Sequence, residues 1–512
     1  MKEAIACKMT SMGDLIHIED SIGNMVISED PRELLHFLWS LGLSACPTTA
    51  PRCVWDLDEF ASRLLEHLPK KDTKEPVGDR RTTFYEGYKI FSIPGKMLSI
   101  KRSFIEIVYA DISQYFPSDL EPDTVLALQE KVDLLLETLH ELGIESVTNL
   151  ISPVAVASAS KMLDEYQGII PTIFDLDDYD DAMELARQCT PREWVCNYQV
   201  GHFGESHSVD IASSYPSNAA QLLDLRDCSI EPTQLLEGDG AATYGFLVGK
   251  FTVYPDHPMA FCSPFLADRG DGTLVNFTGT AEDYPCQLSE VRALYRHNLG
   301  EFQLDHGWFI KPREGITPRL PFQAMMPKFY QSRSQSPTAS FFLKRVMNGV
   351  IGKLLETRVD GTGVITAYGD LYNAIYHAII TTATRLRVFD FLVSHAVTPA
   401  ELIHIGVDGI ELTRHIALPE KAEMGEWRYS GVHPMIVLSP GAVITPKRNY
   451  KRTGYAELLE QLQNHPAASK FGKDGDIDLR DLFALQQRQF ENLPMTGNDL
   501  LRERYQSASV GF

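Results

Sequence analysis

No apolar run in these 512 residues approaches the ~18 that a membrane-spanning helix needs, so the sequence predicts no span. The opening segment Met1-Lys-Glu-Ala-Ile-Ala-Cys-Lys8 lacks the long apolar stretch of a secretory signal. The eight cysteines form no C-x-x-C pair and no cluster with histidine, and there is no H-E-x-x-H; reduced thiols inside a cell are expected, and structural zinc is not. Internal repeats and low-complexity tails are also missing. Basic charge is scarce: 47 Lys and Arg stand against 69 Asp and Glu, a net charge of −22. That excludes a generic basic binder and requires any phosphate contact to come from local basic surfaces. One is present, since Lys447, Arg448, Lys451 and Arg452 surround Tyr450, an aromatic able to pack on a sugar or base. The acidic run Asp175-Leu-Asp-Asp-Tyr-Asp-Asp181 reads as a surface loop. What remains is ordinary for a globular chain of roughly two to four domains.

The segment Ser208-Val-Asp-Ile-Ala-Ser-Ser-Tyr-Pro-Ser217 places Asp210 at the end of an apolar-flanked strand and follows it with a polar turn. A strand fixes a carboxylate rigidly, and the turn behind it offers backbone N–H groups to a polyphosphate. Residues 338–358 read as an amphipathic helix in which Lys344, Asn348 and Gly352 share one face. In Glu401-Leu-Ile-His-Ile-Gly-Val-Asp-Gly-Ile-Glu-Leu412, apolar alternation around Asp-Gly predicts a β-hairpin with Asp408 at its tip, Asp-Gly supplying the positive-φ positions. Each signal is weak alone, because a single Asp beside a turn is ordinarily a cap. Their order adds weight: Lys344 lies 134 residues after Asp210, and Asp408 a further 64.

In that order the three segments resemble the motifs of family B DNA polymerases: D-x-x-S-L-Y-P-S with Ser214 for leucine, K-x-x-x-N-S-x-Y-G with Gly349 for serine and Ile351 for tyrosine, and D-T-D-S with Gly406 for the first Asp and Gly409 for the serine. Further echoes are Tyr198-Gln-Val-Gly-His-Phe-Gly204, which resembles the Y-x-G-G segment, Lys328–Arg333 before the lysine helix, Thr381–Arg387 before the hairpin, and Gly425-Glu-Trp-Arg-Tyr429 with 447–454 leading into the thumb. The resemblance covers roughly 196–455. It implies an α+β multidomain fold, a right-hand polymerase with an antiparallel palm sheet, helical fingers and a small thumb, behind an N-terminal RNase H-like exonuclease-type domain. The expected domains are 1–195 (degenerate exonuclease), 196–320 (palm with an insertion built of several short strands), 321–360 (fingers), 361–425 (palm) and 426–512 (thumb). The compact length is similar to that of protein-primed members.

The activity implied is template-directed transfer from dNTPs to a primer 3′-hydroxyl, with Asp210 and Asp408 holding two Mg²⁺, or Mn²⁺ in preference because Gly406 has lost a carboxylate. Lys344, with Arg333 as a helper, would hold the β/γ-phosphates. Tyr215 would lie beneath the sugar and exclude a 2′-hydroxyl, and Asn348 and Gly352 would shape the pocket floor. Tyr198, Gly201, Lys447, Arg448, Lys451 and Arg452 would contact DNA. Template-primer DNA, dNTPs and a priming or processivity protein are the implied partners, in an intracellular, cytoplasmic setting and with a viral, phage or plasmid source. The exonuclease motifs look damaged. His17 replaces the Asp of Ile16-His-Ile-Glu19, Phe60 replaces the Asp of Trp55–Phe60, and Gln129 replaces the Tyr of Gln129–Asp133, leaving Glu19 and Asp133, or Asp58 under a shifted alignment. Proofreading is therefore expected to be lost. The alternative is a catalytically weakened polymerase-like scaffold that binds nucleic acid or a partner.

Overall fold

A computed structural model describes residues 5–446, except 13–14, 45–51, 58–60, 62–80, 86, 94–95, 104, 118–119, 145–149, 151, 160–161, 167, 177, 191–192, 200, 235, 237–241, 269–273, 360–363 and 440–441. The basic run Lys447, Arg448, Lys451 and Arg452, the expected thumb beyond it, and Asp58 and Phe60 lie outside the described residues. The chain divides into two compact units: one takes 1–170, 325–353 and 357–368, the other 171–324, 354–356 and 369–512.

The first unit is built on an eight-stranded mixed sheet in the order 25–28, 15–20, 5–12, 52–54, 105–111, 97–102, 88–93, 81–85. Ile5–Met12 pairs antiparallel with Leu15–Asp20 and parallel with Arg52–Val54, which runs parallel to Ile105–Asp111. Parallel neighbours need a crossover, and the helix Pro31–Ser44 lies in that connection. Its Leu34, Leu35, Leu38 and Trp39 pack with Ile16, Ile18, Ile90 and Leu98 in one core. The helix Val125–Glu141, N-capped by Thr124, buries Leu128, Val132, Leu135 and Leu139. Two further helices, Met325–Ser332 and Pro337–Lys353, belong to this unit. The second ends at Lys353, earlier than the amphipathic pattern implies, and Thr357–Val359 instead pairs as a strand with Ile365–Tyr368.

Among the described residues the second unit holds two large antiparallel sheets and a two-stranded one, Leu266–Asp268 with Leu274–Asn276. One has the order 442–444, 427–439, 201–211, 409–412, 402–406, 195–197. Trp427–Ser439, whose opening residues read from sequence as the strand leading into the thumb, is a strand of this sheet, paired along Gly201–Ile211. The other has the order 228–233, 300–312, 244–253, 279–287. Its strands are longer than the short ones expected in this region, with Gly300–Pro312 running 13 residues. The helix Ala374–Ser394 backs the first sheet, and Val388, Phe389 and Leu392 share a core with Val209, Ile211, Ile405, Ile410 and Leu412. No helix among the described residues is long and apolar enough to cross a membrane.

Candidate active site

Val209 and Ile211 are buried in that core. Strand alternation therefore turns Asp210, between them, to the opposite face of the sheet. Its cross-strand neighbours are Gly409 on one side and Arg428 on the other. The hairpin turn meets the end of the Asp210 strand directly, with Ile211 N donating to Asp408 O at 3.2 Å. Two carboxylate-bearing residues 198 positions apart thus share one end of one sheet.

The turn is not built as Asp-Gly chemistry predicts. Gly406 pairs with Gly409, and the positive φ falls on Val407, at 66°. A β-branched residue is strained there. What holds it is the Val407 amide, which donates at 2.9 Å to the carbonyl of Trp194, the residue just before the edge strand Val195–Asn197. At Gly406, read from sequence as standing where a carboxylate is usual, a Cβ would lie 3.0 Å from His404 Nε2.

Asp210 is held by a clamp that the motif did not reveal. Arg428 Nε and Nη2 donate to its two carboxylate oxygens, each at 2.8 Å, and Ser430 Oγ donates to Oδ1 at 2.6 Å. The bidentate fork is the strong form of this contact. The pair is still within reach of water, with side-chain exposures of 42% for Arg428 and 27% for Asp210.

Behind Asp210, Ala212 N donates to Glu426 O at 2.9 Å, and Gly425 N donates to Ala212 O at 2.6 Å. The amides of residues 211 and 212 are therefore already engaged, so they do not supply the open cradle expected of this turn. Ser213, at φ 52°, starts the short helix Ser214–Ala219. The Ala374–Ser394 helix fixes that segment: Asn218 Nδ2 donates to Thr384 Oγ1 at 2.8 Å, and Arg387 donates to Ser217 Oγ at 3.3 Å and to Gly425 O. On the same helix Arg385 forms a buried ion pair with Glu290 at 2.6 Å.

Tyr215 is half-buried and lines a cavity of about 500 Å³ with Thr190, Glu193, Val195, Leu355, His377 and Thr381. Burial, then the charges of Glu193 and Asp408, push its phenol above the usual range. Tyr198 donates its hydroxyl to Asn276 Oδ1 at 3.1 Å and packs its ring against Phe261, so it supports the core more than it offers a contact surface. Gly201 opens the central strand at φ 138°.

Lys344, Asn348 and Gly352 belong to the other unit, where they lie on the exposed face of the Pro337–Lys353 helix. Lys344 makes no ion pair among the described residues. A Cβ on Gly349 would collide with Val154 Cγ2 of the helix Pro153–Ala159, which explains a glycine where serine is usual. Ile351 is buried core. Arg333 sits in the turn between the two helices with its guanidinium 5.5 Å from the Tyr330 ring. Of the segments expected from sequence to be degenerate exonuclease motifs, His17 and Glu19 are half-buried on the second strand, while exposed Asp133 accepts from Gln129 Nε2 at 2.9 Å. Gln129 Oε1 in turn accepts from Ala6 N at 3.1 Å. Sequence reasoning missed Arg428, Ser430, His404, Glu193 and His377, although Arg428 and His404 lie within the segments 425–429 and 401–412 singled out above.

The chain matches no protein-family model and no curated protein sequence. It is similar in structure to phi29 DNA polymerase. The ternary complex with primer-template DNA and incoming nucleotide substrates matches with TM-score 0.54 at 11% identity, the post-translocation binary complex with 0.55 at 12%, and the orthorhombic crystal form with 0.56 at 12%. Each match covers 87% of this chain and 87% of that one. The fold is like that of phi29 DNA polymerase, a mixed α/β architecture with several sheets.

Proposed function

We propose that the chain is a template-directed DNA polymerase that extends a primer 3′-hydroxyl with nucleoside triphosphates and lacks proofreading. The observation that carries this reading is the meeting of Asp210 and Asp408 at one end of one sheet, through the Ile211 N to Asp408 O contact of 3.2 Å. In this reading that sheet is the palm, the Pro337–Lys353 helix belongs to the fingers, and the thumb begins after the 442–444 strand.

A divalent ion fits the donor set. Both residues are carboxylates, the hard oxygen donors that Mg²⁺ and Mn²⁺ take, and the Arg428 guanidinium on Asp210 is a stand-in cation at that position. Among the described residues no three His, Cys, Asp or Glu side chains are gathered for a metal. Two carboxylates completed by water and substrate phosphates is a usual Mg²⁺ arrangement. Asp210 and Asp408 would hold the ions, which supply Lewis acidity toward the primer hydroxyl and charge neutralisation at the triphosphate. Lys344, with Arg333, holds the β/γ-phosphates as a point charge. Tyr215 lies against the incoming sugar, and Asn348 and Gly352 floor the nascent base pair. Gly201 and the basic run at 447–452 contact the template-primer, with Tyr198 bracing that segment from inside.

The Arg428 clamp favours a second reading, a polymerase-shaped scaffold that binds primer-template without extending it. Primer extension in Mg²⁺ and Mn²⁺, beside Asp210→Ala and a gel-shift assay on the same DNA, separates the two. Extension lost in Asp210→Ala supports the polymerase. DNA binding with no extension in either metal supports the scaffold.

A further inference from the structure

One stretch runs against the acidity of the chain. From Arg81 to Ile105 five Lys and Arg stand against a single Glu, in a protein of net charge −22, and five aromatics are interleaved with them. The strands Arg81–Tyr85, Tyr88–Ile93, Met97–Arg102 and Ile105–Asp111 form an antiparallel meander at one end of the eight-stranded sheet, without a break in register. Tyr88, Ile90, Ile100 and Ile107 turn into the core, so alternation turns Phe84, Lys89, Phe91, Lys101 and Glu106 to the other face. Phe84, Lys89, Lys101 and Glu106 are successive Cα partners in one row across the four strands, and all four are exposed. Lys89 and Lys101 thus stand directly opposite each other, where like charges repel. Among the described residues neither lysine has an ion-pair partner. Glu106 adjoins only Lys101, and its Oε1 accepts from Ser99 Oγ.

An anion between the two lysines removes their repulsion, and the rings beside them say which anion fits. Phe84 pairs with Lys89 and Thr82 with Phe91, so the two phenylalanines are diagonal neighbours on adjacent strands, roughly 7–8 Å apart at Cα. Bases along one strand of a duplex are only ~3.4 Å apart. Two bases seated on these rings must therefore be splayed, which a single strand allows and a duplex does not. We propose that this sheet face seats single-stranded DNA, with bases stacked on Phe84 and Phe91 and phosphates held at Lys89 and Lys101. The proposal rests on the polymerase reading only for the choice of DNA. The surface is separate from the segment read as an exonuclease motif: Trp55 follows Val54, which pairs with Asp111, and Glu106 lies about 17 Å back along the same strand.

The test is photocrosslinking of the full chain, in excess primer-template, to an oligo(dT) of ~12 nucleotides carrying 5-iododeoxyuridine, followed by peptide mapping. Adducts are expected on Phe84 or Phe91, and adducts found only outside the meander overturn the proposal. Fluorescence anisotropy of the same oligonucleotide reads the strength of binding. Phe84→Ala should weaken it about fivefold or more. Lys89→Ala combined with Lys101→Ala should reduce the slope of log affinity against log salt by about 1.4, two phosphate contacts at ~0.7 each. Affinity and slope unchanged in these variants overturn the proposal as well. Primer extension should be unaffected by the same substitutions, so a failure here leaves the polymerase reading standing. That reading fails separately, if the wild type extends no primer yet still gives the adducts.

Discussion

His404 Nε2 stands 3.0 Å from where a Cβ on residue 406 would lie, so any side chain at 406 would press on the histidine ring. His404 is 6% exposed, and its Nδ1 is 2.6 Å from Asn197 Oδ1, which leaves the ring little room to retreat. Positions 404 and 406 lie on one face of a strand, so a side chain added at one meets the other.

Restoring the carboxylate is therefore a two-residue problem. Gly406→Asp alone should destabilise the protein by about 1–3 kcal/mol through overpacking and give little extension in Mg²⁺. Gly406→Asp with His404→Ala should recover most of that stability and raise the Mg²⁺ rate toward the Mn²⁺ rate. Urea unfolding and single-nucleotide incorporation in each metal check both statements. A single substitution that is neutral in stability would show that the ring moves freely.

Arg428 competes with any cation at Asp210. Arg428→Ala should tighten Mn²⁺ binding about fivefold, because an exposed pair of this kind is worth about 1 kcal/mol. Stability should fall by no more than about the same amount. Mn²⁺ titration followed by electron paramagnetic resonance reads the affinity without any turnover. An unchanged affinity would mean that the ion does not use Asp210.

Asp210→Ala and Asp408→Ala should each lower templated extension by about a thousandfold or more, as expected for groups that hold charge at a reacting centre. Neither should unfold the protein, since both residues stand at the water-accessible end of the sheet. Extension assays paired with thermal melts decide this, and near-wild-type extension by either variant removes that carboxylate from the mechanism.

Gly349 is explained by packing rather than by erosion of a motif. Gly349→Ser should cost about 1–3 kcal/mol, because the added atoms meet Val154 across a helix contact. Combining it with Val154→Ala should return much of the loss. Thermal unfolding of the two single variants and the double variant measures the coupling directly.

The fold was legible where local pattern and chemistry coincide. Asp210 at a strand end, Asp408 at a hairpin tip and the Lys344 face of a helix all follow from periods of two and 3.6. What stayed hidden depends on register between distant strands. Arg428 meets Asp210 only because residues 201–211 and 427–439 pair as they do, 218 positions apart. The strain at Val407 was invisible because Asp-Gly is the stronger local turn signal, and the Trp194 carbonyl that anchors Val407 lies more than two hundred residues earlier, just before the strand Val195–Asn197. His377 looks like any helix residue until the cavity beside it is seen.

That histidine gives the last prediction, a pH dependence. Burial lowers its folded pKa to about 4, while the unfolded chain titrates near ~6.5. Between those values the unfolded state binds more protons, so stability rises with pH across the window. His377's contribution should be complete above about pH 6.5, decline as pH falls, and be exhausted near pH 4, a span of roughly 3 kcal/mol. His377→Phe removes the titrating ring, so its stability should fall less steeply than the wild type's between pH 6.5 and 4, whatever other groups contribute. Urea unfolding of both proteins at half-unit pH steps measures the difference. Parallel curves would mean that the ring is protonated in the folded state.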